Sequence, residues 1–109
     1  MSQYRQSLKE SWDKFSLEEQ LANIGAEVGR AANWQDKDQK LFKGAEHRAL
    51  ELFDLTINDL RWKGHLREIA IVRELFCEAA GKGKIYETTL KDLEKYFIPF
   101  MFLARKSAD

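Results

Sequence analysis

From Leu17 to Ala80 apolar side chains return at every third or fourth position, and the single proline of the chain, Pro99, falls outside that span. Spacing of this kind gathers apolar groups on one face of an α-helix. The single-residue alternation of a half-buried strand is not sustained anywhere. The sequence therefore predicts an all-α fold, and the remaining question is how many helices there are and which faces they bury.

Tyr4, Leu8, Trp12 and Phe15 recur at helical spacing and predict a short helix over residues 3–14. "SLEE" follows, in which Ser16 and Glu19 stand at capping-box spacing, so a second helix is expected to start there and run to about Trp34. Leu17, Leu21, Ile24, Val28 and Ala32 point inward on it, flanked by Ala22, Gly25 and Gly29. A glycine costs about 1 kcal/mol against alanine inside a helix, so two of them mark the close approach of another helix or space for something else. "NWQDKDQK" reads as a turn. The next helix is expected from about Asp38 to Leu60, with Leu41, Phe42, Ala45, Ala49, Leu52, Phe53, Thr56 and Leu60 in a wide apolar arc. "DLRWKG" connects, with Gly64 suited to a positive φ, and a further helix runs to about Ala80. "GKGKIYE" reads as a glycine cap and loop, and Thr88 or Thr89 can cap the last helix, which Pro99 should kink or restart near Phe97 or Ile98. The expectation is one domain over residues 1–109: an antiparallel four-helix bundle with a short extra N-terminal helix.

Lysine plus arginine balance aspartate plus glutamate at 18 each, so no global field selects nucleic acid, an anionic membrane or an acidic partner. The lone cysteine, Cys77, cannot form an internal disulfide and is expected as a small core residue. The charged N-terminus lacks the apolar core of a signal peptide, and no run reaches the length of a membrane span. A cytoplasmic protein without a cofactor is the expectation.

Metal-binding Glu-x-x-His pairs are absent, because Gly44 and Trp62 stand three residues before His47 and His65. "ELFD", Glu51 to Asp54, is similar to half of the metal site of MazG-type nucleotide pyrophosphatases, but no E-x-x-E precedes it. No catalytic residue is assigned. The least ordinary stretch is "RWKGHLREIAIVRELF". Continued as one helix, it aligns Trp62, Leu66, Ile69, Val72, Phe76 and Ala80 in a stripe that also contains His65 and Arg73. Arg73 is expected beside Phe53, paired with Glu18 and Tyr96, with His65 near Trp12. Arg61, Lys63, His65 and Arg67 around Trp62 form a candidate nucleic-acid patch, since cations interleaved with an aromatic can hold phosphate and stack a base. Glu46 is expected to face a small-residue cavity near Gly25, Gly29, Ala79 and Ala80, a candidate ligand pocket. Ile98 and Phe102 emerge on the far side of the last helix and are expected at a two-fold dimer interface.

"LANIGAEVGRA" and "HRALELFDLTIND" resemble strings in small uncharacterised helical proteins of bacteria and archaea. In helix number and length the chain is similar to HEPN domains, a resemblance that implies a helical bundle and a dimer. Ribonuclease members of that group carry an R-x4-6-H motif; here Arg61 and His65 are separated by three residues. The leading expectation is a non-enzymatic interaction protein, a homodimer acting through a partner chain. The alternatives are an RNA-binding or RNA-cleaving protein using Arg61, His65 and Arg73, and a small-molecule binder using Glu46.

Overall fold

The computed structural model describes residues 3–81 and 88–108, with side chains over 7–81 and 88–106. Five α-helices pack together: α1 (Gln3–Trp12), α2 (Leu17–Trp34), α3 (Gln39–Ile57), α4 (Leu66–Ala80) and α5 (Leu90–Ala108). A 3-10 segment, Leu60–His65, joins α3 to α4. No strand occurs among the described residues.

Local chemistry sets most of the helix ends. The Ser16 hydroxyl accepts from the Glu19 backbone N–H while the Glu19 carboxylate accepts from the Ser16 N–H, the reciprocal cap that "SLEE" predicts. Asp38 caps α3 by accepting from the Leu41 N–H at 3.0 Å. Thr89 and Asp92 make a second reciprocal pair at the start of α5, each side chain accepting from the other's N–H at 3.1 Å. Those bonds hold the Asp92 carboxyl below its ordinary range. At the far end of α4 the Gln35 amide donates to the carbonyls of Ala79 and Ala80, two groups that a helix terminus leaves without internal partners. Gly81 follows as the cap of α4; the rest of "GKGKIYE" lies outside the described residues.

Helix α2 packs chiefly against α5 and α3, and α4 lies against both of those. At the centre, Phe53 of α3, Phe76 of α4 and Phe97 of α5 are fully buried, with Phe53 5.7 Å from Phe76 and 6.2 Å from Phe97 between ring centroids. Ile24, Val28 and Ala31 of α2 close the core, along with Ala45 and Ala49 of α3.

The two glycines of α2 are where α5 approaches. A Cβ built on Gly25 would overlap Phe97 Cβ, whereas one on Gly29 would lie 2.6 Å from Glu94 Oε2, the end of a flexible side chain. The expected close approach is thus realised. Gly25→Ala is expected to lose about 1–3 kcal/mol, because Phe97 can move away only if α5 moves with it. Gly29→Ala should be neutral or slightly stabilising, because Glu94 can swing aside and alanine gains helix propensity. Thermal melts of the two variants check this ordering.

Several sequence expectations are corrected. Helix α3 ends three residues early: the Asn58 backbone and side-chain amides both bond the Asp54 carbonyl, and Asp59 then turns extended. Leu60 is consequently left 88% exposed instead of inward. Leu41, at the other end of the same arc, is exposed too. On α2 the buried small residue is Ala31, with Ala32 at the core's edge. Gly64 sits within the 3-10 segment without a left-handed φ. Trp62 breaks the helical backbone there, so the stripe drawn from Trp62 to Ala80 does not run as one helix, and His65 is exposed rather than near the core. Cys77 is exposed as well. Helix α5 runs through Pro99 without restarting. Its ring is exposed, so the carbonyl of Lys95 that loses its helical partner faces outward, where water can bond it.

Candidate interaction surface and the polar sites around it

The candidate basic patch is built on a polar network rather than standing free. Gln20 of α2 is fully buried. Its amide nitrogen donates to the Trp12 carbonyl at 3.0 Å and to Asp59 at 3.2 Å, and its amide oxygen accepts from the Trp62 indole at 2.9 Å. The Trp12 indole donates to the buried Thr56 hydroxyl at 3.0 Å. One side chain therefore ties α1 and α2 to the turn after α3, and every buried polar atom in the described side chains has a partner. Arg61 closes the outer side: its guanidinium bonds Asp59 at 2.6 Å and lies 4.5 Å from the Trp62 ring centroid. Arg61 is thus engaged by a carboxylate, and one face of Trp62 is covered. Lys63, His65 and Arg67 remain exposed.

Asp59 carries the clearest electrostatic signature. The side-chain bond from Arg61, opposed in part by burial and reinforced by the Arg61 backbone N–H and Gln20, lowers its pKa from 3.8 to about 2. Because the folded value is depressed, this carboxylate contributes stability that is complete above the unfolded value and is lost as pH falls through about 2. Asp59→Asn should therefore lower the melting temperature at pH 6 and narrow its gap from wild type between pH 4 and pH 2. A gap that stays constant over that interval would show that Asp59 acts without its charge.

Arg73 does not meet Glu18 or Tyr96. Its Nε donates to Asp54 Oδ1 at 2.9 Å, and its Nη1 points to Cys77 Sγ at 3.9 Å. It stands at the edge of the buried face of α4, so its long stem carries the guanidinium outward. With the side chains 33% and 56% exposed, the pair contributes about 0–1 kcal/mol. The Tyr96 hydroxyl instead donates to Glu68. Burial, then that bond, pushes the phenol well above its ordinary pKa.

Glu46 is half-buried and paired with Lys43 at 3.6 Å, while Gly25 and Gly29 are filled by α5. The space expected beside those two glycines is therefore taken by Phe97, Met101 and Glu94 of α5. A different acid is buried: Glu27 of α2, whose carboxylate accepts from Arg30 at 2.5 Å and from Arg48 of α3 at 3.1 Å. Glu27 borders a cleft of about 230 Å3 between α1, α2 and α3, with Trp12, Phe15 and Leu52 on its apolar side. Sequence reading passed over both Gln20 and Glu27. The signal was present, since Gln20, Ile24, Glu27 and Ala31 are spaced like one buried row of a helix.

The remaining feature is the outward face of α5. Successive residues turn by about 100°, so with Phe97 inward the opposite side carries Lys95, Ile98, Pro99, Phe102, Leu103 and Lys106. Phe102 is 66% exposed, Leu103 48% and Ile98 40%. Leu41, Leu60 and Ile71, the other large exposed apolar residues among those described, stand singly on three different elements. Among the described residues such side chains cluster only on α5. Lys91, Lys95, Arg105 and Lys106 are exposed around them. Among the described residues no cluster suited to a metal ion occurs, and no helix is long and apolar enough to cross a membrane. Comparison with protein-family models, with curated proteins and with solved structures finds no match for this chain.

Proposed function

We propose that this protein is a non-enzymatic interaction module, an antiparallel four-helix bundle with α1 as an extra helix, that works as a homodimer and acts through a partner chain. The observation that carries the reading is the cluster of Ile98, Phe102 and Leu103 on the outward face of α5. Water in contact with three large apolar side chains on one helix face is unfavourable, and a second copy is the most common cover.

The RNA-binding reading draws support from exposed Lys63, His65 and Arg67, but Arg61 is held by Asp59 and Arg73 by Asp54. The small-molecule reading has less, because Glu46 is paired with Lys43 on the flank of α3 and borders no described cleft. Native mass spectrometry of the intact, freshly purified chain separates the three. A dimer mass with nothing bound supports the proposal, and a monomer carrying RNA or a small molecule overturns it.

A further inference from the structure

The outward face of α5 reads nearly the same in both directions. Lys95 and Lys106 lie equally far from the midpoint between Phe100 and Met101, as do Ile98 and Leu103, and Pro99 and Phe102. A two-fold interface demands this property, since residue i must suit j of the other copy while j suits i. In an antiparallel pairing of two α5 helices, Ile98 meets Leu103 of the partner subunit and Pro99 meets Phe102 of the partner subunit. Every central contact is then apolar on apolar. The same register sets Lys95 against Lys106 of the partner subunit, at both ends of the seam. Both lysines are exposed and centred on this face, and no ion pair engages either among the described residues. Asp92, three residues before Lys95, accepts from the Thr89 N–H, so its pull on Lys95 is shared with the helix cap.

We infer that dimerisation through α5 creates two anion sites that neither copy has alone, each formed by Lys95 and by Lys106 of the partner subunit, so that polyvalent anions of the phosphate class promote the dimer. The inference rests on the proposed dimer. Its physical content is that the apolar seam draws the helices together while two like-charged pairs oppose it, and a dianion seated between two ammonium groups converts repulsion into attraction. Salt usually weakens charge-assisted assemblies; here it strengthens this one.

Sedimentation equilibrium of the full chain tests the idea, with dissociation constants measured in chloride and in inorganic phosphate at equal ionic strength. The dimer is expected to tighten about fivefold as low salt gives way to physiological salt, and further in phosphate than in chloride. Lys95→Glu turns both end contacts into attractive pairs, so that variant should dimerise more tightly at low salt and weaken as salt rises. Circular dichroism confirms that this exposed substitution leaves the fold intact. A wild-type dimer indifferent to phosphate, or a Lys95→Glu dimer no tighter at low salt, overturns the anion sites while leaving the dimer standing. A chain that is monomeric in every buffer overturns the dimer and the anion sites together, and its capture by phosphatidylserine vesicles would assign the same face to a membrane surface.

Discussion

Ile98→Gln together with Phe102→Gln is expected to convert the proposed dimer to a monomer with unchanged helical content. Glutamine is the informative replacement, because glutamates at these positions would lie within reach of Lys95 and Lys106 and confuse polarity with charge. A large apolar side chain contributes about 1.5–3 kcal/mol on full burial, scaled down by the fraction already covered in the monomer. The two-fold repeats each loss, and the amide groups brought into the seam must also be desolvated. The expected rise in the dimer dissociation constant is at least about a thousandfold, which amounts to roughly 4 kcal/mol. The monomer itself should melt no lower than wild-type monomer, since both side chains project away from Phe97 and the core. Light scattering and sedimentation check the mass. A double variant that remains dimeric would move the interface off α5.

The second large effect lies at Gln20. Gln20→Leu keeps the volume but withdraws three hydrogen bonds: those to the Trp12 carbonyl and to Asp59, and the one accepted from the Trp62 indole. The Trp12 carbonyl retains the Phe15 N–H as a donor, and Asp59 retains Arg61. The half-buried Trp62 indole loses its protein acceptor, so the cost is divided between that group and the loosened attachment of α1. A buried donor without an acceptor costs about 1–3 kcal/mol, and the lost bond to a carboxylate adds to it. The expected destabilisation is about 2–4 kcal/mol, a fall in melting temperature of roughly 10 °C or more. Trp62 fluorescence should shift as its indole loses its partner. An unchanged melt would show that the network contributes little beyond filling space.

Glu27 teaches a related point about where charges are tolerated. It is nearly buried, but both arginines that bond it keep about half of their side-chain surface in water. The carboxylate is therefore desolvated on one side only, which lowers the usual cost of a buried ion. The helical row marks the position as inward, but its partner Arg48 is identified only once α3 is in place.

What the sequence determined by itself was much of what depends on neighbours a few residues away. The Ser16–Glu19 box, the Thr89 cap and the inward row of Leu21, Ile24 and Val28 follow from local hydrogen bonding and the helical period. So does the outward placement of Ile98 and Phe102, since a helix that buries Phe97 must turn them away. Even the two glycines announced a close approach, although not which helix would make it.

Tertiary structure alone decided the rest. Periodicity says which face a residue shares, but not which distant group it meets. Gln20 finds Asp59 and Trp62 some forty positions along the chain, and Glu27 finds Arg48 across two helices. Arg73 pairs with Asp54 because it stands at the margin of its stripe, where a long side chain can reach either inward or out to a neighbouring helix. Leu60 and His65 changed sides for one reason: Asn58 and Asp59 end α3 early, and once the chain leaves the helix the count of residues no longer fixes direction. A helical pattern can be extrapolated only as far as its hydrogen bonds run, and at Asn58 and Asp59 they stop where side chains compete for the backbone, locally with Asp54 and Arg61 and, through Gln20, with a distant helix.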